Sequence, residues 1–309
     1  MRTAFAKGLL AAAQADPRVL LLTGDHGYAL FDEFRHHFPD RYINGGIAEQ
    51  NLVGVAAGLA KAGFRPIVYA LSAFIPVRVL EQIKLDLCCD ELPVLLIGDG
   101  AGVVYSSLGV SHQSAEDIAA LRALPHLHLV SPCDPHEMTA AMDLALRTSA
   151  PVYLRMGKSD LGAIHQGPVA LKWGSLLPVS AGNGPLVFIA TGSQVKLATK
   201  LAQEWPGSAV WSAPSIKPLD SEAVVSACLA HKMVVTLEEH NILGGLGGAI
   251  AEILSEERPM PVCRLGIRDR FSELCGSYNY LMREHGLDLD SASARVHAFV
   301  KRHGPAGGL

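Results

Sequence analysis

Apolar positions along the chain follow two rhythms: short unbroken runs, and longer stretches with a helical repeat. Val19 to Thr23, Pro66 to Leu71, Pro93 to Ile97, Leu127 to Val130 and Pro151 to Arg155 are runs of strand length. Continuous runs of this kind mark parallel strands covered on both faces. Between them the pattern predicts helices over 3–14, from the head of the Gly46–Ala60 stretch, through Leu87, to Leu121, and from Asp134-Pro135 to about Leu146. Residues 157–185 lose periodicity and gain Gly, Ser and Pro, as a linker does. A second series follows, with strands near 186–190, 208–212, 233–237 and 261–265 and helices near 193–204, 220–230 and 245–255. The prediction is an α/β chain of two doubly wound domains, mostly parallel sheets with helices on both faces. Its parts are 1–160, a linker over 161–184, and 185–309, with Gly304 to Leu309 a disordered tail.

The stretch Gly46 to Ala60 stands out, because a carboxylate heads a segment that is otherwise small and apolar. Val53, Ala56, Ala57 and Ala60 fall on one helical face, and the glycines are expected to let that face approach another backbone. Glu49 falls in the first turn, where the helix dipole favours negative charge. Burial of that turn would penalise the charged form and make a proton-sharing acid available. The plainer alternative is a first-turn Glu on a surface helix. Asp25, in Gly24-Asp25-His26-Gly27, follows a strand and reads either as a cap or as a site carboxylate, since open α/β sheets place ligands there. Arg78 faces the substrate or pairs with Glu81; the sequence does not choose.

Length and composition narrow the classes. The 309 residues have room for two cores, and 49% apolar content implies surface covered by a partner. A net charge of -4 gives no nucleic-acid or anionic-membrane signal. Six cysteines lack metal or framework spacing and read as reduced thiols of a cytoplasmic protein. Lys7 interrupts the first apolar run, leaving Gly8 to Ala13, too short for a secretory signal, and no run approaches a membrane span.

Gly46-Ile47-Ala48-Glu49-Gln50-Asn51 resembles the signature of the pyrimidine-binding domain of transketolase-type, thiamine-diphosphate-dependent enzymes, and the resemblance extends over nearly the whole chain. It implies that Glu49 hydrogen-bonds the cofactor's aminopyrimidine, drives its imino tautomer and so lets it deprotonate its own thiazolium carbon. It further implies that Phe74 stacks on that ring and that Asp25 reaches the cofactor across a subunit interface. Ser111-His112-Gln113 is similar to the family's Thr-His-Gln, which gives His112 proton transfer and donor binding. Arg155, at a strand end, and Arg2 match family phosphate-binding arginines, and Arg suits bidentate phosphate recognition. Thr236 to Gly247 resembles the family's carboxyl-terminal domain, a structural part whose glycines open a helix and could receive an anion.

Departures from the pattern matter equally. Leu108 replaces an Asp that reads a substrate hydroxyl, and Gly100 replaces a His that helps bind sugar phosphate. Gly98-Asp99-Gly100 opens the family's diphosphate–metal motif, but no Asn occurs between Asn51 and Asn183 to complete the oxygen ligands. No metal site is expected here, and Asp99 reads as a turn residue. The resemblance therefore implies half of a split enzyme: thiamine diphosphate shared with a diphosphate-binding N-terminal transketolase-like subunit that carries the Mg²⁺ ligands, in an α2β2 heterotetramer. Its expected reaction moves a two-carbon ketol unit from a ketose or ketose phosphate to an acceptor. The nearest rival is the β subunit of a 2-oxoacid dehydrogenase-like or hybrid enzyme that loads a carrier-protein thiol; a deoxyxylulose-phosphate-synthase-like enzyme and a noncatalytic scaffold are others.

Overall fold

The computed structural model describes residues 1–158 and 160–304, so the expected tail beyond Gly304 lies outside the described residues. The first sheet contains β1 (Val19–Thr23), β2 (Tyr42–Asn44), β3 (Arg65–Leu71), β4 (Leu95–Asp99), β5 (His128–Val130) and β6 (Val152–Met156). The second contains β7 (Leu177–Ser180), β8 (Leu186–Ala190), β9 (Ala209–Ser212), β11 (Met233–Asn241) and β12 (Val262–Ile267). β10 (Ser215–Lys217) leaves the second run to pair antiparallel with β5, giving the seven-stranded order β10-β5-β6-β4-β3-β1-β2. The remaining pairs of that sheet are parallel, as the unbroken apolar runs require.

Helices cover both faces: α1 (Arg2–Ala15), α2 (Asp32–His37), α3 (Glu49–Lys61), α4 (Leu80–Gln82, continued by a π-helix over Ile83–Cys88), α5 (Asp117–Arg122) and α6 (Pro135–Arg147). Side chains alternate across β1, so Leu20 and Leu22 join Leu52, Val53 and Ala56 of α3, while Val19 and Leu21 join Phe5 and Leu9 of α1 and Met138 of α6. Each buried Leu of these layers contributes roughly 1.5–3 kcal/mol. On α3 the buried face is Leu52, Val53, Ala56, Ala57 and Ala60, as the spacing predicts. The glycines are not on it: Gly54 and Gly58 are exposed with open space around them, so they bring no other backbone of this chain close.

The second sheet, in order β12-β11-β8-β9-β7, is parallel except for β7. It is sandwiched by α7 (Val195–Gln203) and α11 (Leu289–His303) on one face and by α8 (Ser221–Cys228) and α9 (Leu246–Glu257) on the other, with α10 (Tyr278–Glu284) alongside the first pair. Three strands, and the helices α2, α10 and α11, have no counterpart in the predicted pattern. β2 and β10 are three residues each and exist by edge pairing, while β7 lies inside the stretch expected to be linker.

Candidate active site

β1 sits between β2 and β3, so the strand order reverses at its carboxyl end. Crevices of this kind are where doubly wound sheets take ligands. Three loops meet there, after β1 (Gly24–His26), after β2 (Gly45–Ala48) and after β3 (Ser72–Phe74). The Gly45 N–H donates to the Thr23 carbonyl at 2.9 Å, and Asn44 Nδ2 donates to Asp25 Oδ1 at 3.2 Å, tying the first two together.

Glu49 is the first residue of α3 and is 2% exposed. Its Oε2 accepts from Arg78 Nη1 at 2.9 Å, whereas Oε1 is buried with no hydrogen-bond partner. A buried acceptor left unpaired costs about 1–3 kcal/mol, which a ligand donor would recover. The Arg78 guanidinium also lies 4.0 Å above the ring centroid of Phe74, so acid and aromatic are bridged by one side chain. Phe74 in turn meets His112 edge-on at 5.3 Å and His26 at 6.0 Å between centroids. The His26 Nε2 is a second buried atom without a partner. Arg78 thus pairs with Glu49 and not with Glu81, and sequence reasoning missed that pairing and the place of His26. A flat ring stacked on the same face of Phe74 requires the half-exposed guanidinium to swing aside.

His112 ends a loop whose neck is closed by reciprocal Gly102 and Ser114 hydrogen bonds of 2.9 Å. Its Nδ1 lies 3.0 Å from Ser111 Oγ. Leu108, on the same loop, is 52% exposed. Asp25 is exposed too, in a left-handed backbone conformation (φ +63°) that Asp tolerates better than most residues. The structure therefore gathers Glu49, Phe74, His112 and His26, with Asp25 at the rim.

The two arginines are placed differently from expectation. Arg155 is buried: Nε donates to Asp117 Oδ2 at 2.8 Å, and Nη2 donates to the carbonyls of Ser114 and Glu239 at 3.1 and 2.9 Å. A guanidinium so enclosed has no face for a substrate phosphate, and the substrate-binding reading of Arg155 is corrected to a structural one. Arg2 keeps a half-exposed side chain but its Nη2 donates to Asp99 Oδ2 at 2.8 Å. Asp99 is no turn residue; it ends β4, buried, and accepts as well from Tyr69 and Tyr105 at 2.7 and 3.1 Å. Burial and this carboxylate push the Tyr105 hydroxyl up to about 12. Gly100 is required here by its φ of +74° and by Tyr105, whose ring would meet a Cβ at 2.0 Å.

The glycine-opened helix of the second domain already holds a carboxyl group of the chain's own. Glu238 accepts from the Leu246 and Gly247 N–H groups at 2.7 and 2.9 Å. Burial pushes Glu238 up to about 7 despite those donors. The same burial presses the adjacent His240 down to about 4, against the pull of Asp117. The fold also brings His165 to Cys133 and Glu137 at the start of α6, and the ligand atoms of the three lie within 4.8 Å of one another. Glu137 spends its oxygens on the Cys133 N–H at 2.8 Å and on His165 Nε2 at 2.9 Å, fastening the segment after β6 to α6.

Residues 1–163 match the family model of the transketolase pyrimidine-binding domain, and residues 178–291 that of the transketolase C-terminal domain. The chain is 36% identical over 263 residues to a subunit of the apulose-4-phosphate transketolase of Actinobacillus succinogenes, covering 84% of each. It is 32% identical to the 6-deoxy-6-sulfo-D-fructose transketolase subunit SqwH of Clostridium sp. strain MSTE9, covering 98% of this chain and 95% of that one. Among solved structures, a split gene transketolase described as an inactive beta4 tetramer superposes with a TM-score of 0.88 at 32% identity, covering 98% of both chains. No described helix is long and apolar enough to cross a membrane. From its acid-headed α3 helix to its second parallel sheet, the chain belongs to the transketolase family.

Proposed function

We propose that this chain is the carboxyl-terminal subunit of a split, thiamine-diphosphate-dependent transketolase, with residues 1–160 as the pyrimidine-binding domain and a C-terminal domain that begins at β7, inside the stretch 161–184 expected as linker, rather than at residue 185. The observation that carries the reading is the unpartnered buried Oε1 of Glu49, bridged by one half-exposed guanidinium to the ring of Phe74. That pair fits an aminopyrimidine: an acid oxygen for a ring nitrogen and an apolar face for the ring. Thiamine diphosphate, when bound, supplies the carbanion chemistry that cuts a two-carbon ketol unit from a ketose.

Glu49 Oε1 would hold the proton shared with the pyrimidine ring. Phe74 would orient that ring and exclude water from it. His112, its Nδ1 turned to Ser111, would move protons at the donor's hydroxyl or carbonyl through its other nitrogen. Asp25 at the rim would face a cofactor held largely by the partner. For an anionic substrate end, Arg2 is the remaining cation of the two expected. The relatives are named for a sugar phosphate and a sulfosugar, which supports an anionic ketose donor and favours ketol transfer over delivery to a carrier thiol.

The Asn that would complete a diphosphate–metal motif is missing after Gly98-Asp99-Gly100, and Asp99 is occupied by Arg2 and two tyrosines. The proposal accordingly assigns the Mg²⁺ ligands to a diphosphate-binding subunit, in a cytoplasmic α2β2 assembly. The test is ketol transfer from ketose phosphates by this chain with and without that subunit. Activity is expected only in the mixture and is abolished by Glu49→Ala; turnover by the Glu49→Ala mixture, or none by the wild-type mixture, overturns the reading.

A further inference from the structure

The second sheet has its own reversal of strand order. β8 lies between β9 and β11, and the loop Thr191–Gln194 leaves its carboxyl end, the position at which doubly wound sheets bind ligands. A cavity of about 390 Å³ opens there, between α7, α10 and the start of α11. This lies within the range of small-molecule sites.

Two acceptors in its wall are unused. Gln194 is 2% exposed, and its Oε1 has no partner. The orientation of that amide is set by its neighbours: Nε2 donates to Ser193 Oγ at 3.3 Å, whose own hydroxyl donates to Glu239. Asp288 Oδ2 is likewise buried and unpartnered, while Oδ1 accepts from the Ser291 N–H at 3.2 Å. Although burial opposes it, donors at the head of α11 hold this carboxyl below its ordinary value, so it is an ionised acceptor. At the rim, Lys200 and Arg283 form no ion pair among the described residues. Leu197 and Met282 supply an apolar wall.

The acceptors call for hydroxyl or amino donors, the cations for an anion, and the apolar wall for a flat or hydrophobic body. A carboxylate taking ribose hydroxyls is a general device of nucleotide recognition. We propose that this cavity binds a nucleoside phosphate, with its ribose or base donors on Gln194 and Asp288 and its phosphate on Lys200 and Arg283. The occupant would lie against Tyr278, whose hydroxyl donates to Glu239 at 2.6 Å. Glu239 also accepts from the Val103 N–H at 2.8 Å, at the base of the loop that carries His112. One carboxylate thus ties the cavity wall to the base of the loop that carries His112.

The test is calorimetric titration of the full chain with AMP, in excess thiamine diphosphate so that the cofactor site is not the one measured. Inorganic phosphate, ribose 5-phosphate and adenosine serve as separate titrants. Saturable binding of one AMP per chain is expected, weakened about tenfold or more by Lys200→Glu and by Gln194→Leu, each of which should leave the melting temperature unchanged. Ribose 5-phosphate, inorganic phosphate and adenosine should each bind more weakly than AMP. Absence of saturable AMP binding, AMP binding unchanged in Lys200→Glu, or equal binding of inorganic phosphate or ribose 5-phosphate overturns the proposal.

Discussion

Replacing Arg155 with Met separates a structural guanidinium from a substrate-binding one. The side chain is 3% exposed and Asp117 fully buried, and three hydrogen bonds leave the guanidinium for Asp117 and two carbonyls. Arg155→Met keeps most of the volume but leaves the Asp117 carboxylate with the Tyr153 hydroxyl, at 2.9 Å, as its remaining close donor. Breaking a buried pair by removing one partner costs about 3–5 kcal/mol, a large part of the roughly 5–15 kcal/mol that holds a protein folded. At about 2–4 °C per kcal/mol for domains of this size, the melting transition should fall by roughly 6–20 °C. Adding Asp117→Asn removes the uncompensated charge, so the double variant should recover much of the loss. Circular-dichroism melts of the wild type, both single variants and the double variant measure this coupling. At temperatures where Arg155→Met remains folded, the KM for an anionic ketose should stay within about twofold of wild type. An unchanged melt together with a KM raised tenfold or more would refute the structural assignment.

Other predictions follow from single contacts. Arg78→Gln frees the Phe74 face from a half-exposed cation worth about 1 kcal/mol there, so thiamine diphosphate should bind the assembled complex roughly fivefold more tightly by calorimetry; unchanged or weaker binding means that the guanidinium does not compete with the ring. Gly245→Ala puts a Cβ 1.9 Å from Glu238 Oε2 and must dislodge that carboxylate from the head of α9, lowering stability by about 2 kcal/mol or more in a urea titration. His240, at about 4 in the folded chain against its ordinary 6.5, makes the folded state resist protonation, so its contribution is intact above pH 6.5 and is lost as pH falls towards 4. The stability advantage of wild type over His240→Asn should therefore shrink between pH 6.5 and 4; a difference flat with pH contradicts a buried neutral imidazole.

The strands of the first sheet were legible because both of their faces are covered, which turns them into unbroken apolar runs such as Val19 to Thr23. β2 and β10 were not, because three residues paired at an edge leave no period to detect. α11 has small apolar residues interleaved with charged ones, and its signal lay in Asp288 as a cap, with the buried Ala292, Val296 and Val300 a turn apart. Within the site, Glu49, Phe74 and His112 were named by their resemblance to a family motif, and the fold brings the three side chains into one crevice. Arg155, at a strand end, was misread, because its partners, Asp117 and the Glu239 carbonyl, stand 38 and 84 residues away. Glu238 filling the head of α9 was hidden similarly: a glycine-opened helix looks free until the fold supplies its own carboxylate.

The central claim is that the free oxygen of Glu49 activates a bound cofactor. Its most direct test is the rate of hydrogen–deuterium exchange at the thiazolium carbon of thiamine diphosphate, followed by NMR in assembled wild-type and Glu49→Gln complexes with the cofactor site saturated. The account predicts exchange at least about a hundredfold slower in Glu49→Gln. Equal rates in the two complexes, with the cofactor bound in both, would contradict it.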